Sequence, residues 1–254
     1  MPPLCSAKWV RMRSNSAGFA LLMMHMAQSH AGPPYVSDDP EPTDYRHYEA
    51  YVFAGATSTR DGTGGAAGID FSYGAVPDLQ LTLVTPMAYE QPSQGASASG
   101  LGNIELAAKW RVAHQARLGW DVSFFPRIFL PSASRTVGDQ NEAYLLPVWV
   151  EKDWERWSTF GGGGYVINRG DGARNFSLLG WAIARQLTPR LQIGAELFHQ
   201  TADTRDGFPS TGLNAGVRYD LGEHYHLLGS IGPGIQNASA TNQRSWYLAL
   251  LITR

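Results

Sequence analysis

A chain of 254 residues with 20 basic and 22 acidic side chains and a mean hydropathy of −0.23 lacks both the positive field of a nucleic-acid binder and the apolar bulk of a helical membrane protein. Its one cysteine, Cys5, lies at the extreme N-terminus. A chain that sheds that end has no disulfide, no thiolate zinc site and no cysteine nucleophile.

The N-terminus reads as transport signal. Lys8, Arg11 and Arg13 form a basic region, Ala17–Met26 an apolar run, and Ser29-His30-Ala31 a small-residue cleavage site, which places the mature start at Gly32. The apolar run is about half the roughly 20 residues a membrane-spanning helix needs. Loss of the three basic residues takes the formal charge from −2 to −5, which excludes nucleic acid further as a partner. Residues 32–44, rich in proline and acid, read as an extended periplasmic segment that packs under or into the mouth of the folded remainder.

From Tyr45 to Arg254 the chain alternates in polarity over stretches of about ten residues. Leu79, Leu81 and Leu83 alternate with Gln80 and Thr82. In Asn103–Val112, Ile104, Leu106, Ala108, Trp110 and Val112 share one face, with Glu105, Lys109 and Arg111 on the other. Leu118, Trp120, Val122 and Phe124 alternate with Asp121 and Ser123, and Leu213, Ala215, Val217 and Tyr219 with Asn214, Arg218 and Asp220. A soluble sandwich of about this size would alternate as well.

Connections and aromatics separate the two folds. Short gaps fall at 76–78, 113–116, 155–156, 187–190 and 221–224; long polar or glycine-rich gaps fall at 57–65, 91–100, 132–141, 168–174, 202–210 and 237–243. Five short turns and six long loops join twelve strands, with both ends on the turn side. Trp154 and Trp157 flank one turn and Tyr219 and Tyr225 another, while Trp110, Trp120, Trp149 and Trp181 lie where a girdle or lipid contact would use them. The expected fold is all-β: a transmembrane antiparallel up-and-down barrel of about twelve strands, in the outer membrane of a Gram-negative bacterium, with both termini periplasmic.

The stretch Gly32–Pro42 with Tyr45-Arg46-His47-Tyr48-Glu49 resembles the mature start of an outer-membrane transporter-like family labelled for a meta-pathway of phenol degradation. Gly102–Leu106, Leu146–Trp149, the Gly161–Gly164 run before Tyr165, Gly194–Gln200 and Glu223–Leu228 resemble it too. The resemblance covers nearly the whole mature chain and implies a barrel that passes a small solute, aromatic or otherwise apolar. Barrels of this kind often end in an aromatic residue. This chain ends Leu251-Ile252-Thr253-Arg254, so the signal read by the assembly machinery is expected to be weaker or to lie inward, at Trp246 and Tyr247.

Glu105, Lys109, Arg111, Asp121, Arg127, Gln192, Glu196 and Arg218 are the candidate lumen-lining residues, either a selective lining or a salt-bridged filling. Leu106, Trp110, Trp120 and Val122 are expected to face lipid. The Gly161–Gly164 run lacks the following Lys-Ser/Thr of a phosphate loop and suits a curled strand or a close inward approach. Glu196 and His199, three apart, point to opposite faces of a strand, and no G-x-S-x-G elbow occurs, so no catalytic residue, metal ligand or cofactor is assigned. The acids Asp38, Asp39, Glu41 and Asp44 lack the spacing of a calcium loop. Expected partners are outer-membrane lipid, the barrel-assembly machinery and a small solute. A lipid-modifying enzyme and a closed structural or secreted β protein are the alternatives.

Overall fold

The computed structural model describes residues 34–138, 140–170 and 172–254. The signal segment and its Ala31-Gly32 cleavage point lie outside them. The strand segments are β1 (Tyr48–Thr59), β2 (Gly62–Val76), β3 (Leu79–Pro92), β4 (Ala98–Leu101), β5 (Glu105–Ala113), β6 (Asp121–Phe124), β7 (Arg127–Phe129), β8 (Ala143–Trp154), β9 (Trp157–Asn168), β10 (Phe176–Thr188), β11 (Leu191–Gln200), β12 (Ser210–Asp220), β13 (Tyr225–Gly232), β14 (Gly234–Gln236) and β15 (Arg244–Thr253). The short helices are α1 (Gln115–Leu118) and α2 (Ala238–Thr241).

These segments build twelve antiparallel staves, because β4 and β5, β6 and β7, and β13 and β14 each share one interrupted stave. Two interruptions fall at Pro126 and Pro233, where the ring removes a ladder donor. Each stave pairs with its sequence neighbour, and β1 pairs with β15 from Glu49↔Thr253 to Ser58↔Arg244, closing the barrel. Closure leaves no open sheet edge, the condition for spanning a bilayer with strands.

The faces are inverted relative to a soluble sandwich. Leu83, Leu106, Trp110, Val148, Trp181, Leu197 and Leu248 stand exposed on the outer wall. Glu105, Lys109, Arg127 and Glu196 are buried inside. A continuous apolar exterior around a charged interior fits a lipid solvent. The lumen also holds apolar clusters, one of Phe129, Leu145, Val166 and Phe176 and another of Phe125 and Trp149.

Three local expectations change. The long gap at 57–65 is instead the two-residue turn Arg60-Asp61, because the small polar residues on either side continue β1 and β2 against each other from Ser58↔Thr63 onward. The short gap at 113–116 widens to include α1, so Leu118 sits in a helical turn rather than a strand. Trp149 joins no girdle: it faces inward with no exposed surface, and glycine at its cross-strand partner Gly162 makes room for it. Gly162 itself has φ of 146°, a conformation a side chain would strain.

Candidate functional site

Residues 34–44 run through the lumen as a strap from mid-barrel to the turn end. A proline-rich segment has few backbone donors to offer a sheet, so it is held by side chains that point in from the wall. Near its start, Ser230 donates to the Pro34 carbonyl, and the Val36 and Ser37 amides donate to Glu196, which also accepts from Asn214 Nδ2 at 2.7 Å. Further along, the Thr43 amide and hydroxyl donate to Gln80 Oε1 at 2.8 and 3.0 Å. Gln80 is braced in turn by Ser72 and Thr82, both at 2.9 Å.

Three inward glycines make room for the strap. A Cβ on Gly180 would overlap the Ser37 hydroxyl, one on Gly194 the Tyr35 hydroxyl, and one on Gly216 the Tyr35 ring. Gly194 and Gly216 are directly paired on β11 and β12. The wall is thus thinned where the strap presses against it.

Charge fixes the middle of the strap. Asp38, 2% exposed, accepts from Lys109 Nζ at 2.9 Å on one oxygen and from Arg127 Nη2 at 2.8 Å on the other. Arg127 reaches Glu105 at 3.4 Å, and Lys109 also donates to the carbonyls of Asp39 and Glu41 at 3.0 and 3.3 Å. Phe125 lies under both cations, 4.9 Å from Lys109 and 4.2 Å from Arg127. Buried charges of this kind persist only when paired and hydrogen-bonded, and the strap carries the carboxylate that completes the set.

The eight candidate lining residues therefore fall into two groups. Glu105, Lys109, Arg127 and Glu196 converge on the strap. Arg111, Asp121, Gln192 and Arg218 lie nearer the turn end: Arg111 pairs with Asp78 at 3.0 Å, Asp121 accepts the Gln115 amide at 3.1 Å, and Arg218 pairs with Asp220 at 3.1 Å and faces Gln192 across the ladder. Partial desolvation raises the Asp78 carboxyl, but hydrogen bonds from Arg111 and His114 outweigh it and hold its pKa below the ordinary range. Of the residues expected to face lipid, Leu106 and Trp110 are exposed on the outer wall, and Trp120 packs edge-on against Trp181 with ring centroids 6.3 Å apart. Val122 is half-buried at a bulge opposite Ala113. Asp38, Gln80, Asn214 and Ser230 are not among the candidate lining residues of the sequence, nor is the role of Gly180, Gly194 and Gly216 visible there. Glycine at inward positions of three successive staves is the signal that could have pointed to them.

Glu196 is committed to the strap, while His199 Nδ1 lies 2.8 Å from Thr211 Oγ1 and belongs to the opposite face. Glu196 and His199 thus do not act together, since Thr211, whose hydroxyl lies beside His199, is on the face away from Glu196.

The model of the family described as "Putative MetA-pathway of phenol degradation" matches residues 37–250. No curated protein sequence matches the chain. Among solved structures, an outer membrane channel from Pseudomonas putida F1 superposes with a TM-score of 0.71 at 13% identity, covering 85% of this chain and 98% of that one. The NanC porin superposes with a TM-score of 0.57 at 11% identity over 81% and 99% of the two chains. The β domain of the Bordetella autotransporter BrkA gives 0.54 at 14% identity over 82% and 99%. These likenesses concern the fold.

Proposed function

The chain belongs to the "Putative MetA-pathway of phenol degradation" family, and from that premise and the geometry of its lumen we propose that it is a passive outer-membrane channel for small solutes, with aromatic or otherwise apolar molecules the leading class. The observation that carries this reading is a closed barrel whose interior holds cavities on both sides of the strap, about 90 Å³ toward the loops and about 310 Å³ toward the turns. A purely structural barrel would gain by filling that space, because eight staves already pack solid and sixteen or more leave an open channel. The turns, with the start of β1 and the end of β15, face the periplasm and the loops face outward, as insertion from the periplasmic side favours, while the strap turns back into the lumen.

The strap is the constriction. In planar bilayers the mature protein should conduct weakly, and a variant lacking residues 32–44 should conduct several-fold better, since a segment that fills the narrowest section is gone. A folded, heat-modifiable barrel that conducts in neither form would remove the channel reading.

A further inference from the structure

The two cavities flanking the strap differ sharply in chemistry. Of the residues lining the turn-side cavity, Asp38, Asp39, Glu41, Asp44, Glu49, Asp70 and Glu105 are acidic and Lys109, Arg127 and Arg218 are basic. Among the described residues lining the loop-side cavity none is charged: Tyr35, Leu178, Phe198 and Tyr247 bring apolar surface, and Thr57 and Ser210 bring hydroxyls. Tyr35 belongs to the strap, so the seated strap forms part of this cavity's wall.

We propose that the loop-side cavity is a binding site for a small neutral solute, an apolar body of at most one ring carrying a hydrogen-bonding group. Exclusion of ions follows from the lining. A charge entering here loses hydration and meets no counter-charge on the wall, whereas a neutral ring exchanges water for aromatic and aliphatic contacts. An apolar wall with a few polar groups is the usual make-up of small-molecule pockets. Size sets the upper limit, because about 90 Å³ is below the roughly 150 Å³ of a closed apolar cavity that takes up benzene, so a single ring seats only by reaching into the open side of this cavity and a second ring is excluded. A hydrogen-bonding group on the solute also has a ready acceptor. Asn242, 5% exposed, lies on this wall with its Oδ1 unpartnered, and a turn of the side chain would bring that oxygen to an entering hydroxyl.

The site rests on the channel reading only in that solute must reach it from the loop end. Saturation-transfer NMR on the full mature protein in detergent micelles, with benzyl alcohol, benzoate and benzylamine at neutral pH, tests it with one ring in three charge states. Benzyl alcohol should bind saturably and at least about tenfold more tightly than either ion. Phe198→Ala should weaken it by roughly tenfold, the loss of a buried aromatic anchor. Thr57→Lys, which adds a cation to the wall without touching the strap, should weaken benzyl alcohol and raise benzoate. Equal affinity for the three probes, or benzyl alcohol binding that survives both substitutions, would overturn the site. Saturable binding without flux into liposomes would keep the site and end the channel reading; flux without saturable binding would do the reverse.

Discussion

At the scale of single residues, Asp38 ties the middle of the strap to the barrel wall. It faces two cations, so Asp38→Asn takes one carboxylate from each, leaving Lys109 beside Asp39 at 3.5 Å and Arg127 beside Glu105 at 3.4 Å. Breaking a buried pair costs about 3–5 kcal/mol, and water in the adjoining cavity should bring the loss toward the lower figure. The temperature at which the folded band converts on gels should fall, and Lys109→Met added to Asp38→Asn should recover part of it. An unchanged transition in the single variant would mean the latch contributes nothing. Asp78 gives a pH test at the turn end. Its carboxyl is held below the ordinary value, so its contribution is complete above about pH 4 and fades only as pH falls from there through the depressed value. Asp78→Asn should flatten the acid limb of the stability profile below about pH 4 and leave its shape above that unchanged. Parallel wild-type and variant profiles across the acid range would contradict it. Of these residues the cations were legible in the sequence, since Lys109 and Arg127 sit in alternating stretches. Asp38 was not: a proline-rich segment has no periodicity from which to infer a partner some 70 residues away.

At the scale of elements, alternation was read where one face is apolar and lost where both faces are small and polar. β5 separates Leu106 and Trp110 from Glu105 and Lys109, so its faces are visible in sequence. Around Arg60-Asp61 the strands carry Thr57, Ser58 and Thr59 against Thr63, Gly64 and Gly65, and nothing in them marks where strand becomes turn. The same blindness hid the glycine cradle, because a missing side chain has no polarity to alternate. Its importance can be tested through Tyr35. Gly216→Leu puts a branched side chain where the Tyr35 ring lies, whereas Gly222→Ala adds a methyl into open space in a turn. In protein produced from Gly32 onward there is no other cysteine, so Ser37→Cys reports on the strap through maleimide labelling. Labelling should be slow in the otherwise native barrel and with Gly222→Ala, and at least about tenfold faster with Gly216→Leu, since moving a well-packed segment costs on the order of 1–3 kcal/mol. Equal rates in all three would mean the cradle does not hold the strap.

At the scale of the whole molecule, the lumen is polarised along its axis: an uncharged cavity toward the loops, a paired latch at the middle and an acidic cavity toward the turns. A neutral solute would cross all three without stranding a charge in the interior, whereas an ion would be selected at the turn end. Seven acids against three bases line that cavity, and Lys109 and Arg127 are already matched by Asp38 and Glu105. Fixed charge in a narrow, low-dielectric passage sets ion preference. With the strap in place, the reversal potential in a salt gradient should therefore lie on the cation side. Glu49→Gln with Asp44→Asn should move it toward zero, because these carboxylates line the cavity and lie outside the latch. Neutralising Arg111 instead should move it further toward cations. Raising the salt from about 0.1 M to 1 M should shrink the preference, as the screening length falls from about 10 Å to about 3 Å. Anion preference in the native protein, or indifference to the Glu49 and Asp44 substitutions, would mean that ions bypass the turn-side cavity and that the constriction lies elsewhere in the barrel.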